Sequence, residues 1–124
     1  MTAHADFEID QHSTPFTHLE FKNHPDEFQF AILGDNSGGP RPGVVAAGLE
    51  KLNLLHPEFV LCLGDLVEGY AEPDGSPAGV DTYRAWWDEF DGFLEALEIP
   101  FFFLPGNHDI NYPASLEVLR ERFG

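Results

Sequence analysis

Residues 57–68 read PEFVLCLGDLVE. Pro57 stops whatever precedes it, five apolar residues run from Phe59 to Leu63, and the run breaks at Gly64-Asp65. A short apolar run with no polar alternation is the pattern of a strand buried on both faces, as in a parallel sheet covered by helices. The same grammar recurs on either side. Phe28 to Leu33 (FQFAIL) runs into Gly34-Asp35-Asn36-Ser37-Gly38-Gly39, and Pro100 to Leu104 (PFFFL) runs into Pro105-Gly106-Asn107-His108-Asp109. Between these runs the period becomes helical. Pro40-Arg41-Pro42 opens a helix that ends near Leu55 and carries Val45, Leu49, Leu52 and Leu55 on one face. A loop rich in Gly, Pro and Asp spans residues 64–80. Asp81 is then placed to cap a segment whose stripe of Tyr83, Trp86, Trp87, Phe90, Leu94 and Leu97 reads as core rather than as a ligand pocket. Ala114 to Phe123 is a last amphipathic helix. The order β-α-β-α-β-α implies an α/β fold with parallel strands and right-handed crossovers.

Composition bounds the function. The chain has 124 residues, about one domain, and its 43% hydrophobic content suffices for a packed core. Acidic residues outnumber basic ones 22 to 6, for a net charge of -16. Such a charge repels phosphate backbones and anionic lipid, so neither nonspecific nucleic-acid binding nor membrane binding is expected. It suits a protein whose carboxylates are offset by cations, although a solubilising surface is the commoner cause. Cys62 is the single cysteine, which excludes an intramolecular disulfide; its place in an apolar run makes it a small core residue. Residues 1–27 form a polar arm without periodicity. Its His4, His12, His18 and His24 are too irregularly spaced to read as a metal site, and Phe16 to Phe21 could add a short edge strand. No signal-peptide pattern and no membrane-length apolar run is present, so a cytoplasmic location is expected.

The chemistry-bearing residues follow the apolar runs. In a parallel sheet all strand carboxyl ends lie on one side, where open α/β folds build their sites. Asp35, Asp65, Asn107 and His108 are therefore expected along one sheet edge. Two carboxylates, an amide oxygen and an imidazole suit manganese, iron or zinc. Gly-Asp after a strand is by itself usually a turn. Three such junctions in succession, ending in Gly-Asn-His-Asp, point to a shared metal or phosphate site.

The pattern Gly34-Asp35, Gly64-Asp65-Leu66-Val67 and Gly106-Asn107-His108-Asp109 resembles the calcineurin-like metallophosphoesterases, over about residues 28–124. The resemblance implies that residues 28–124 are half of a four-layer αββα sandwich. It implies two metal ions, with Asp35 on the first, Asp65 bridging both and Asn107 on the second. It makes His108 the group that protonates the leaving oxygen, and Glu68, three residues beyond Asp65, the residue that orients His108. The implied reaction is hydrolysis of a phosphoester substrate by attack of a metal-activated hydroxide on phosphorus.

Some positions depart from the family pattern. The histidine usual in the first motif is Ser37, and no histidine follows His108. The tyrosine of purple acid phosphatases would stand three residues after Asp65; Glu68 occupies that place, with Tyr70 offset by two. The chain is therefore expected to be a truncated domain, weak or inactive alone, whose open sheet is covered by a complementing chain or a second copy. The alternatives are a non-catalytic partner-binding module or a phosphate-binding module using Gly38, Gly39 and the start of the first helix.

Overall fold

The computed structural model of the protein describes residues 14–22 and 26–124. Six elements follow in chain order: β1 (Ala31–Leu33), α1 (Val44–Leu55), β2 (Val60–Cys62), α2 (Val80–Leu94), β3 (Phe101–Phe102) and α3 (Pro113–Phe123). The strands make one parallel sheet in the order β1-β2-β3. This is the α/β arrangement expected, with three helices on three parallel strands. The ladder outruns the regular strands. Glu58 N–H donates to Gln29 O at 2.7 Å, and Leu63 N–H donates to Leu33 O at 2.8 Å.

Strand alternation decides which residues meet the helices. Val60, Cys62, Phe101 and Phe103 point to the helix side and are buried. They pack with Leu49 of α1, with Tyr83, Trp87, Phe90 and Leu94 of α2, and with Val118 of α3. Trp87 sits at the centre, edge-on to Phe90 at 6.3 Å and to Phe123 at 5.4 Å. Each such side chain contributes about 1.5–3 kcal/mol by leaving water. The α2 stripe is core, as its spacing implies, with Trp86 half-buried at its margin. The α1 stripe ends early. Leu55 is 66% exposed, because the chain leaves α1 through a left-handed His56 (φ 51) before Pro57.

The opposite sheet face differs from the expectation for β2. Leu61 is only half-buried, while Ile32 and Leu63 are 58% and 57% exposed. Phe30, Phe59 and Phe102 form an aromatic row beside them, with Phe30 stacked on Phe59 at 5.2 Å. Among the described residues, Phe16 and Phe21 reach this face, both against Phe102. Phe16 makes a single antiparallel bridge to Phe102 rather than a strand. Thr17 N–H donates to Phe101 O at 3.0 Å, and Phe103 N–H donates to Pro15 O at 2.8 Å. His18 Nδ1 accepts from Glu20 N–H; His4, His12 and His24 lie outside the described residues.

Two helix starts shift from where the sequence puts them. Gly38, Gly39 and Gly43 all take positive φ, so the prolines at 40 and 42 lie in a loop and α1 begins at Val44. Asp81 does not cap α2. Gly79 is the N-cap, and its N–H donates to Glu72 Oε1 at 3.0 Å. The Thr82 hydroxyl donates to the same oxygen at 2.6 Å. Asp81 instead pairs with Arg84 at 3.2 Å on the surface.

The Thr82 hydroxyl, and after it the Gly79 N–H, hold the Glu72 carboxyl below the usual glutamate range. A carboxyl depressed by folding adds stability above its unfolded pKa and loses it as pH falls through the folded value. Glu72→Gln is therefore expected to flatten the stability–pH curve between about pH 3 and pH 5, read by urea unfolding at each pH. An unchanged acid limb would remove Glu72 from this role.

Candidate functional site

The loops after β2 and β3 are tied by one carboxylate. Asp109 is fully buried. Its Oδ2 accepts from Asp65 N–H and Gly106 N–H, both at 2.7 Å. Its Oδ1 accepts from Leu66 N–H at 3.0 Å and Val67 N–H at 3.3 Å. Burial pushes the Asp109 carboxyl up, against the pull of the N–H groups of Gly106, Val67, Asp65 and Leu66. The two loops also meet backbone to backbone. Gly64 has φ +92, and a Cβ there would run into the Gly106 backbone; a Cβ on Gly106 would strike Asp65. Glycine is thus required at both places by the neighbouring loop.

Asp65 follows Gly64 into the left-handed region (φ 57), which aspartate tolerates better than most residues. Its Oδ1 accepts the His108 N–H at 2.8 Å, and its main-chain carbonyl accepts the Asn36 N–H at 2.8 Å. The Asn36 side chain donates to Leu66 O at 3.3 Å. Asp35 therefore stands one residue from a direct link to the Asp65 loop. Its exposed carboxylate has no hydrogen-bond partner among the described residues.

His108 is half-buried, and its Nδ1 contacts the main-chain carbonyl of Glu68. A carbonyl only accepts, so Nδ1 carries the proton and Nε2 is the ring atom left for chemistry. The Glu68 carboxylate goes elsewhere: its Oε2 accepts the Gly39 N–H at 3.3 Å. The expected carboxylate contact to His108 is thus made by the backbone, because the chain turns at Gly69 and brings the 68 carbonyl over the ring. Asn107 is exposed, and its Nδ2 donates to Tyr70 Oη at 2.8 Å. Tyr70 also lies edge-on to the His108 ring, with centroids 4.6 Å apart. Ser37 is half-buried in the first loop, where its side chain has no hydrogen-bond partner among the described residues.

The donor chemistry suits divalent cations. Among the described residues Asp35 is an uncommitted carboxylate and Asp65 has Oδ2 unengaged, and the Asn107 amide turns its oxygen away from Tyr70. These are hard oxygen donors of the kind divalent cations accept. The count is small: among the described residues, His, Cys, Asp and Glu side chains do not gather in threes around a common point.

A three-stranded parallel sheet with Gly-Asp, Gly-Asp and Gly-Asn-His-Asp at its carboxyl ends is consistent with a phosphoesterase fold. The chain belongs to the calcineurin-like phosphoesterase family, whose pattern matches residues 19–123. No curated protein and no solved structure gives a match. Among the described residues no helix is long and apolar enough to cross a membrane.

Two contributors have no role in the sequence-level reading. Asp109 was visible as the last letter of its motif, but nothing in the sequence announces four backbone donors. Tyr70 has no sequence signal, since its place depends on two consecutive left-handed residues, Gly69 (φ 66) and Tyr70 (φ 72). Asp109→Ala would leave four N–H groups without an acceptor. It is expected to cost about 3–5 kcal/mol, measured as the loss of unfolding free energy in urea. A loss below about 1 kcal/mol would show that water replaces the carboxylate at no penalty.

Proposed function

We propose that the chain carries part of the site of a metal-dependent phosphoester hydrolase. The observation that supports this reading most is the bond between two motifs, His108 N–H to Asp65 Oδ1 at 2.8 Å, in a chain of this family. Asp35 and Asp65 would hold one cation, and Asp65 and Asn107 a second. When bound, such cations neutralise phosphoryl oxygens and lower the pKa of water. The chain's own residues do the rest. Asp109 and His108 N–H fix Asp65 in place. The Glu68 carbonyl holds His108 in the Nδ1–H form, so that Nε2 can carry a proton to the leaving oxygen of a phosphoester.

Catalytic metal sites commonly have about three protein ligands per ion. Among the described residues this reading finds two for each, so weak metal binding and low turnover by the 124-residue chain are part of the proposal. The phosphate-cradle alternative loses ground, because α1 begins five residues beyond Gly39 and the Gly39 N–H already faces a carboxylate. The sheet face that the described residues cover only in part favours a second reading, a partner-binding module, since exposed apolar faces of this kind mark interaction surfaces.

Calorimetry with manganese and turnover of an aryl phosphate test the proposal. Manganese is expected to bind weakly, and Asp65→Asn to abolish both binding and turnover. His108→Gln is expected to lower turnover by about 100- to 10,000-fold while leaving manganese affinity unchanged. Equal manganese binding by the parent and Asp65→Asn would overturn the proposal.

A further inference from the structure

We propose that Tyr70 is a positioning residue that holds the Asn107 amide in the orientation a cation needs; the inference rests on the metal reading above. A primary amide has one acceptor end and one donor end, of nearly equal shape. Asn107 is exposed, so its packing does not choose between them. Only Oδ1 can bind a cation. With Oδ1 given to a cation, Nδ2 is the end left to satisfy, and Tyr70 Oη lies 2.8 Å from it.

The phenol is held there independently of any ligand. Tyr70 takes φ 72, a costly backbone for a bulky residue, which persists only where the surroundings impose it. Its N–H donates to Tyr83 Oη at 3.3 Å, and its carbonyl accepts the Ala78 N–H at 2.9 Å. Tyr83 is fully buried in α2 and in turn donates to Asn111 Oδ1 at 2.5 Å. The Tyr70 ring packs edge-on against His108 at 4.6 Å and Tyr112 at 6.2 Å. Backbone and ring are both fixed, so the oxygen is a rigid acceptor beside a side chain with no other hydrogen-bond partner among the described residues. Partners of this kind around metal ligands are worth roughly 10- to 100-fold in metal affinity.

Tyr70→Phe removes the acceptor and keeps the ring. In the metal-free 124-residue chain, nitrogen-resolved NMR is expected to show the Asn107 side-chain NH2 pair moving to the shifts of a free amide. In a manganese titration the same substitution is expected to weaken binding about 10-fold, with the thermal midpoint unchanged. Repeating it in an Asn107→Asp background distinguishes positioning from general support. A carboxylate presents oxygen at both ends and needs no orienting, so there Tyr70→Phe is expected to leave manganese affinity unchanged. Unchanged Asn107 signals would overturn the inference, as would an equal loss of affinity in both backgrounds. If the parent chain binds no manganese, the hydrolase reading falls, and the metal-free amide signal alone decides whether Tyr70 holds Asn107.

Discussion

Four backbone N–H groups converge on the Asp109 carboxylate, and the geometry of the strand ends depends on that convergence. A buried carboxylate is costly unless its oxygens are satisfied, and four unpaired N–H groups would be costlier still. Here each settles the other's account. The donors belong to the loops after β2 and β3, so the bond set fixes one loop against the other. Asp65 is held at a left-handed φ within this frame, and the His108 N–H reaches Asp65 from it. Site residues need support of this kind if they are to keep a productive arrangement.

Apolar runs that end in glycine-led loops made the fold legible. The runs at 28–33, 59–63 and 100–104 each hold a strand, although β3 is regular over two residues only. The period change between them marked the helices, and the α2 stripe was core for the reason its spacing suggested. What stayed hidden were contacts that residue types do not advertise. The start of α2 is braced by Glu72, seven residues before the N-cap Gly79, because the loop folds back on itself. The His108 ring is met by the Glu68 carbonyl, and every residue has a carbonyl, so no composition rule points to this one. The family resemblance implies a carboxylate contact; the backbone turn makes a different one.

The two sheet faces show how one side of a strand can obey an expectation that the other does not. Val60 and Cys62 lie under helices, and burial pushes the Cys62 thiol up, so it behaves as a core atom. Leu61 and Leu63 alternate to the face where Phe16 and Phe21 give partial cover. A continuous apolar run speaks for two buried faces. In this chain the described residues cover one face well and the other in part.

Gly64 and Gly106 stand back to back, and this has a consequence for how the two loops can change over time. A side chain at either position meets the other loop's backbone or the Asp65 carboxylate. No single replacement is relieved by a neighbouring rotamer shift, because the obstacle is main chain. The loops are far apart in sequence, yet a substitution in one is viable only after the other has moved. The two positions are sterically coupled. A side chain at either glycine displaces the opposite loop, so a change after β2 is felt after β3 and the reverse.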